Sequence, residues 1–450
     1  MKGVLRGTTA LVAVGLAMGE ASAAGGLKLG ITGFYRNAIG GSFGNSVGGF
    51  GPPQHATNGV TSGGAGYTAG YGSFDRQSVS MRQEIRVNFT GKTTLDNGVA
   101  VGVLVGLNGE NVAKAGSTTQ VERAYADLSG KFGMVRIGEA HSALATDCVL
   151  DPGNVTSNFG VNSPYQSFSN VGKGVFVAPQ FNSGSGQVLN TAFGPSGPMA
   201  SIGTCYGIES KGNKLMYFSP SFGGFTFSVS FAPQGSSRIA GGNLNYPSDG
   251  TNLKGGSSRG SADSVISIAA NFRHDFDGWN LLVGGGGEWA LQSYTRFGNT
   301  TGNKAAWYQG GVQVGVGRFA VGASGAFYQN YAQAGFFAQG ASPSDDAWVA
   351  TVGGSYSIDA WSFGLQGMYS QWDYGGGTIF SGSEDAWGVS LNGAYALGPG
   401  ISLEAQLAYT SANYGGGFGA FVNPAFSDFT FGSIPTVHSW EIDMGTAIDF

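Results

Sequence analysis

The chain has 450 residues, a formal net charge of −5 and 11% charged residues, together with 82 glycines and 13% aromatic residues. Soluble globular domains carry roughly 25% charged residues and about 7% glycine, so both values are unusual. Glycine without a three-residue period excludes collagen, the aromatic content argues against disorder, and the lack of a basic block argues against nucleic-acid binding.

The N-terminus has the pattern of a secretory signal peptide. Lys2 and Arg6 are followed by an apolar run over residues 8–18 and by an Ala-Ser-Ala cleavage site at residues 21–23. The apolar run is shorter than the roughly 20 residues that a membrane-spanning helix needs. We therefore expect residues 1–23 to be removed on export and the mature chain to begin at Ala24.

Most of the exported chain alternates apolar or small residues with polar ones, which predicts β-strands with two different faces. Trp348, Val352 and Tyr356, for example, lie on one face of their segment, and Thr351 and Ser355 lie on the other. Sixteen segments have this pattern, near residues 27–39, 77–93, 97–109, 119–130, 132–140, 211–220, 223–231, 262–274, 278–291, 304–316, 318–329, 346–358, 361–371, 385–396, 400–411 and 438–450.

The connections between these segments alternate in length. Short turns alternate with long connections rich in Gly, Ser and Asn, at residues 40–76, 141–210, 232–261, 292–303, 330–345, 372–384 and 412–437. Outer-membrane barrels have this arrangement, with short periplasmic turns and long external loops. The sequence therefore predicts an all-β fold, a 16-stranded antiparallel transmembrane β-barrel over residues 24–450.

Aromatic residues recur on the apolar face at the two ends of several strands. The pairs are eight residues apart, and the candidates are Trp348, Tyr356, Trp361, Tyr369, Trp387, Tyr395 and Trp440. Eight residues of a strand tilted about 45° span roughly 19 Å along the membrane normal. We therefore predict two aromatic girdles on a face that contacts lipid.

Charged residues collect on the opposite face. They alternate with apolar residues in the segments that contain Arg82, Glu84, Arg86, Arg123, Tyr125, Asp127 and Arg136. A barrel of sixteen strands encloses an aqueous channel, so these side chains are predicted to line its lumen.

Both cysteines, Cys148 and Cys205, lie in the longest connection, residues 141–210. An exported chain meets an oxidising environment, which favours a disulfide between them. Two free thiols remain the alternative.

These features resemble the general porins of Gram-negative outer membranes, in particular the glycine-rich porins of alphaproteobacteria. The resemblance rests on the first strand GLKLGITGFYRNAIGG (residues 26–41), the hairpin RAYADLSGKFGMVRIG (123–138), the segment KLMYFSPSFGGF (214–225), the strand count and the terminal Phe450. It implies a homotrimer in the outer membrane, with a channel in each copy for passive diffusion of small hydrophilic solutes and ions. The implied partners are outer-membrane lipid, lipopolysaccharide and the barrel-assembly machinery, which would recognise Phe450.

The resemblance also implies that residues 141–210 fold into the barrel as a constriction loop. In the family, acids on this loop face arginines on the wall. The loop acids here are Asp147 and Asp151, and the wall arginines are the four named above. The sign of ion selectivity stays open, because the net charge favours cations and the arginines favour anions.

Two alternatives remain. A sugar- or anion-specific porin would line its channel with aromatic residues, for which Tyr125 and Trp307 are the candidates. A secreted glycine-rich adhesin would have neither the girdles nor the terminal Phe450.

No enzymatic activity is expected, because the two G-x-S-x-G matches, at residues 44–48 and 256–260, fall in long predicted loops and not at a turn from a strand into a helix. No cofactor is expected either. The acid pairs at residues 345–346 and 384–385 leave open a loosely bound divalent cation at the external loops.

Overall fold

The structure is a computed structural model. It describes residues 26–45, 79–109, 121–161, 204–205, 212–234, 263–291, 295–296, 299–300, 304, 306–329, 346–374, 382–413, 421–423, 426–429 and 437–450. The signal peptide predicted at residues 1–23 lies outside these ranges and stays a prediction.

The described residues form strands and one short helix. The helix is α1 (Ala143–Asp147), and no helix in these ranges is long and apolar enough to span a membrane. The strands are β1 (Lys28–Asn45), β2 (Val79–Thr94), β3 (Ala100–Asn108), β4 (Val121–Gly130), β5 (Gly133–Glu139), β6 (Asn213–Phe218), β7 (Phe225–Gln234), β8 (Asp263–Asp275), β9 (Trp279–Ala290), β10 (Thr295–Arg296), β11 (Asn299–Thr300), β12 (Ala306–Val316), β13 (Phe319–Gln329), β14 (Asp346–Ile358), β15 (Trp361–Tyr374), β16 (Gly382–Gly398), β17 (Ile401–Asn413), β18 (Phe421–Asn423), β19 (Phe426–Phe429) and β20 (Val437–Asp449).

Sixteen of these strands form one closed antiparallel barrel, which confirms the predicted fold class. Within the barrel, each strand is hydrogen-bonded to the barrel strand that follows it in the chain, so that β9 pairs with β12 and β17 with β20. β20 also pairs with β1, which closes the barrel. The remaining strands form two separate hairpins, β10–β11 and β18–β19, inside connections that the sequence pattern left without strands. Strands of two to four residues are too short for an alternating pattern to be recognised.

The seam between the first and last strands is longer than the sequence predicted. β1 continues past residue 39 to Asn45, which pairs with His438 of β20. At the other end of the seam, the Phe450 N–H donates to the Gly33 carbonyl (3.0 Å) and the Gly33 N–H donates to the Phe450 carbonyl (2.7 Å). The seam joins the two edge strands, which an open sheet would leave exposed.

The two faces of the strands differ as the alternation predicts. In β14, the outward side chains of Trp348 and Val352 are 37% and 63% exposed, whereas Val349 and Thr351 between them are buried. Large apolar side chains cover the outer face elsewhere too, and Leu29 is 82% exposed. Soluble monomers rarely expose apolar surface on this scale, and membrane barrels do so where they contact lipid.

Aromatic side chains form two rows on this outer face. At the end where the long connections leave, the row follows neighbouring strands through Trp289, Tyr308, Phe327, Trp348, Tyr369, Trp387, Tyr409 and Trp440. At the end with the short turns, the row contains Phe319, Tyr356, Trp361, Phe363 and Tyr395, with the ring centroids of Trp361 and Tyr395 4.6 Å apart. The residues proposed as girdles all fall in these two rows.

Val352 lies in the middle of β14 and tests the lipid-facing assignment. We expect Val352→Arg to lower the free energy of unfolding in lipid vesicles by about 2–4 kcal/mol, because a cation at the bilayer midplane is poorly solvated. Ser355→Arg, on the inner face of the same strand, is the matched control and should change it much less. Equal effects of both substitutions in denaturant titrations would contradict the assignment of the faces.

Candidate functional site

Residues 140–161 contain the described first part of the predicted constriction loop (141–210), and they lie inside the barrel against its inner wall. We call this segment the strap. It starts directly after β5 and contains α1, whose N-cap Ser142 accepts a hydrogen bond from the Ala145 N–H (3.2 Å). The strap then follows the wall around the barrel, from β7 to β20.

The first turn of α1 is attached to the wall through serine hydroxyls. The Ala143 N–H donates to Ser230 Oγ on β7 (3.0 Å), and the Leu144 N–H donates to Ser267 Oγ on β8 (2.9 Å). N–H groups in the first turn of a helix have no partner within the helix. The wall therefore supplies acceptors that the helix cannot.

The next strap residues accept hydrogen bonds from glutamine side chains on β12. Gln309 Nε2 donates to the Val149 carbonyl and Gln313 Nε2 donates to the Leu150 carbonyl, both over 2.6 Å. Both glutamines lie on the inner parity of their strand and are buried.

Asp151 is the first of two carboxylates that fasten the strap. It is only 4% exposed and accepts hydrogen bonds from Thr351 Oγ1 (2.6 Å) and from Gln366 Nε2 (2.9 and 3.0 Å) on the wall. Asp151 therefore faces β14 and β15 and not the arginines. This differs from what the family resemblance implied. A buried carboxylate needs several donors, and β14 and β15 supply them.

Close backbone contact continues at Gly153. A side chain on Gly364 of β15 would overlap the Gly153 carbonyl oxygen, and one on Gly353 of β14 would overlap the strap as well. Asn392 of β16 binds this segment through both polar atoms of its side-chain amide. Its Nδ2 donates to the Gly153 carbonyl and its Oδ1 accepts the Val155 N–H, both over 2.9 Å.

Glu404 on β17 is the second fastening carboxylate. It accepts the Ser157 and Asn158 backbone N–H groups (2.9 Å each) and the Asn158 side-chain amide (2.8 Å). The fully buried Phe159 follows and packs against Ala38 of β1. The strap thus ends beside the first strand of the barrel.

The structure forms the predicted disulfide between Cys148 and Cys205, with Cα atoms 6.1 Å apart. Thr204, next to Cys205, is fully buried, and its hydroxyl lies 3.0 Å from that of Ser324 on β13. Ser324 in turn lies 2.7 Å from the hydroxyl of Thr351, which donates to Asp151. Thr204 and Cys205 are thereby joined to the strap in two ways, by the disulfide and by the chain of hydroxyl groups on the wall that ends at Asp151.

The inner face of β1–β5 forms the part of the wall opposite the middle of the strap. The start of the strap packs near Tyr125, and its end packs on Ala38, so both ends border this region. We call its polar side chains the arginine arc: Arg36, Glu84, Arg86, Arg123, Tyr125, Asp127 and Arg136. Arg82 lies on the same face of β2, in register with Ala38, but its side chain is outside the described atoms.

Two ion pairs lie within the arc. Arg136 donates to both carboxylate oxygens of Asp127 (2.7 and 2.9 Å) and stacks over the Tyr125 ring at 3.8 Å. Arg86 lies 3.6 Å from Glu84. Arg123 is within Coulombic range of Arg86 and Arg136, both of which repel it. Four described arginines therefore share two carboxylates.

Asp147, at the end of α1, is the loop acid nearest to the arc. Its carboxylate accepts a hydrogen bond from the Ser228 hydroxyl on the wall, and its backbone carbonyl accepts one from Asn271 Nδ2 (2.8 Å). Burial raises the pKa of Asp147 above the ordinary value of an aspartate, although the Ser228 hydrogen bond and the charge of Arg136 act in the opposite direction. Its carboxylate is thus held by the wall at the position where it could balance the arginines.

A family model described as Gram-negative porin matches residues 7–415. The chain belongs to this family. The match confirms the predicted family, the outer-membrane location and the channel function.

Solved structures of outer-membrane proteins share the fold of this porin. The DcaP channel of Acinetobacter baumannii aligns with a TM-score of 0.54 at 9% identity, over 94% of this chain and 98% of that one. The anion-selective porin of Comamonas acidovorans gives 0.52 at 12%, over 94% and 100%. A loop-deletion mutant of Vibrio cholerae OmpT gives 0.52 at 11%, over 94% and 99%. No curated protein matches the chain.

The structure does not favour Tyr125 and Trp307 as the aromatic lining of the channel that a substrate-specific porin would have. Trp307 is fully buried, with its ring stacked 6.0 Å from that of Tyr328. Tyr125 is covered by Arg136 and by the start of the strap.

Within the described ranges, no three His, Cys, Asp or Glu side chains could hold a metal ion. The loosely bound divalent cation at the external acid pairs stays a prediction.

Several residues that hold the strap were missed by the sequence interpretation. They share the inner parity of their strands and are Ser230, Ser267, Gln309, Gln313, Thr351, Gln366, Asn392 and Glu404. The alternation does mark them as facing inward, but it carries no information about which of them meet the loop. Arg36 was also missed, because its neighbours on the inner face of the first strand, Phe34 and Ala38, are apolar and do not mark that face as polar.

Glu404→Gln tests the strap as a fixed element. We expect more frequent current fluctuations or a larger single-channel conductance, because charge-assisted hydrogen bonds contribute about 1.5–3 kcal/mol and neutral ones about 0.5–1.5 kcal/mol. Asp359→Asn, at the exposed β14–β15 turn, removes the same charge far from the strap and serves as the control. If both variants conduct like the parent protein in planar bilayers, Glu404 does not fasten the strap.

Proposed function

We propose that this porin is a non-specific passive diffusion channel for small hydrophilic solutes and ions, and that solutes cross its narrowest part between the strap and the arginine arc. The observation that carries the proposal is the path of the strap. It covers the inner wall from β7 to β20, and its two ends border the arc on β1–β5.

Fixed charges beside a narrow aqueous passage favour solutes that interact with polar groups and ordered water, and they penalise apolar solutes. We also propose that the porin has no enzymatic activity. The carboxylate of Asp151 in the strap is held by Thr351 on the wall, and the carboxylate of Glu404 on the wall is held by N–H groups of the strap.

The decisive experiment is reconstitution of the purified porin in planar bilayers and in liposomes. We expect ohmic conductance steps and liposome swelling rates that fall smoothly as the sugar becomes larger. A saturable block by one sugar would favour the substrate-specific alternative. Failure to conduct in either system would contradict a channel of any kind.

We further propose a homotrimer that assembles through the outer face of β2–β5. Trp and Tyr concentrate where a protein surface meets the membrane interface. The strands β2–β5 contain a single Trp or Tyr residue, Tyr125, and its side chain faces the lumen. The outward residues here are mostly aliphatic, as with Met81, Val103 and Ile137. A face without Trp or Tyr suits contact with another copy.

The remaining outer face, which carries the two aromatic rows, would contact lipid and lipopolysaccharide. Phe450 would be recognised by the barrel-assembly machinery. Its side chain is 54% exposed even though its backbone is paired with Gly33 in the seam, so it remains available for recognition.

Val103→Trp tests the trimer surface. We expect it to convert SDS-resistant oligomers into monomers at a lower temperature, because a bulky side chain disturbs a packed interface by about 1–3 kcal/mol. Val352→Trp, on the aromatic side of the barrel, is the matched control and should leave the oligomer intact. The reverse pattern on heated gels would place the interface elsewhere.

A further inference from the structure

We propose that the disulfide between Cys148 and Cys205 is a redox-sensitive tether in the channel, and that small thiols entering the lumen reduce it and thereby restrict conduction. The inference rests on the proposed diffusion channel, because the tether affects solutes only if they cross beside the strap.

The strap is held on the wall without the disulfide. The Asp147 carbonyl, just before Cys148, accepts a hydrogen bond from β8 (2.8 Å), and the Val149 carbonyl, just after it, accepts one from β12 (2.6 Å). Glu404 holds the other end of the strap. Cleavage of the disulfide would therefore leave Cys148 and the strap in place.

The disulfide instead fixes the chain where it returns towards the barrel. Thr204 and Cys205, which we call the return limb, lie at β13, where the Thr204 hydroxyl is 3.0 Å from that of Ser324. The chain re-enters the wall at β6, and β7, β8, β9 and β12 lie between β6 and β13. The helix α1 packs against β7, β8 and β9. The return limb is therefore held at a part of the wall distant from the strand that the chain has to reach.

The connection from the return limb to β6 is short for this distance. Five strand spacings separate β13 from β6, which is roughly 24 Å along the wall. Cys205 precedes Gly212, the residue before β6, by seven positions. Seven residues reach about 25 Å even when fully extended. Because α1 occupies the wall in between, a return limb released from Cys148 has its shortest route through the lumen.

The disulfide is accessible to small reductants. Both cysteines are half-buried, and because the strap lies inside the barrel, the exposed part of the disulfide faces the lumen. Thiol–disulfide exchange requires that the attacking sulfur reach the disulfide. A thiol small enough to diffuse through the channel can do so, whereas a folded protein is too large to enter beside the strap.

Reduction requires two electrons, which a small dithiol supplies. One of its thiolates attacks a sulfur of the disulfide and forms a mixed disulfide, and its second thiolate then displaces the protein sulfur. The reagent leaves as its own cyclic disulfide, and Cys148 and Cys205 each take up a proton. Cys148 stays on the wall, and Cys205 can move into the passage between the strap and the arginine arc.

The test records single channels of the inserted porin in planar bilayers before dithiothreitol, after it, and after reoxidation with diamide. Maleimide labelling of parallel samples measures how many thiols each treatment exposes. The variant that combines Cys148→Ser with Cys205→Ser has no disulfide and is the control for effects of dithiothreitol elsewhere. The measurement on the parent porin does not depend on whether this variant folds.

We expect reduction to make brief closures about threefold more frequent, because hydrogen bonds that each contribute little net free energy then hold the return limb. Reoxidation should reverse the change, and the double variant should close often from the start and not respond to dithiothreitol. Thiols that become labelled without a change in current, or a disulfide that dithiothreitol does not reduce in the folded porin, would overturn the inference and leave the diffusion channel standing. A protein that conducts no ions in either redox state would overturn both.

Discussion

The hydrocarbon core of a membrane offers no partner for an unpaired backbone N–H or C=O group. This constraint accounts for the closed barrel, because every strand must be paired on both sides, and it makes the β1–β20 seam the point on which closure depends. The seam extends to the last residue, since Phe450 exchanges two backbone hydrogen bonds with Gly33. Once the sheet is closed, the alternation of side chains leaves one face for lipid and one for water.

The same need for backbone partners explains how the strap is held. A segment that is neither strand nor, apart from α1, helix carries N–H and C=O groups that require acceptors and donors when buried. The inner wall provides them from serine, glutamine, asparagine and glutamate side chains on one strand after another. Carboxylates that could have set the electric field of the pore are used here for attachment, and the balance of charge in the passage shifts towards arginine.

Much of this architecture could be predicted from sequence because it depends on local periodicity. Parity alone separated the aromatic rows from the arginines, and the export signal with two cysteines indicated the disulfide. The fastening of the strap could not be predicted in this way. Asp151 and Gln366 are separated by 215 positions, and Ser157 and Glu404 by 247. Nothing local in either segment shows that they meet, and the family resemblance suggested a different role for Asp151.

The disulfide has a topological consequence. Cys148 and Cys205 are 57 positions apart, so the chain between them is closed into a covalent ring. A protease that cleaved one peptide bond inside this ring would leave the two halves of the polypeptide joined through the disulfide. A loop that the family resemblance places on the outer side of the membrane can therefore be cut once without dividing the porin into two separate chains.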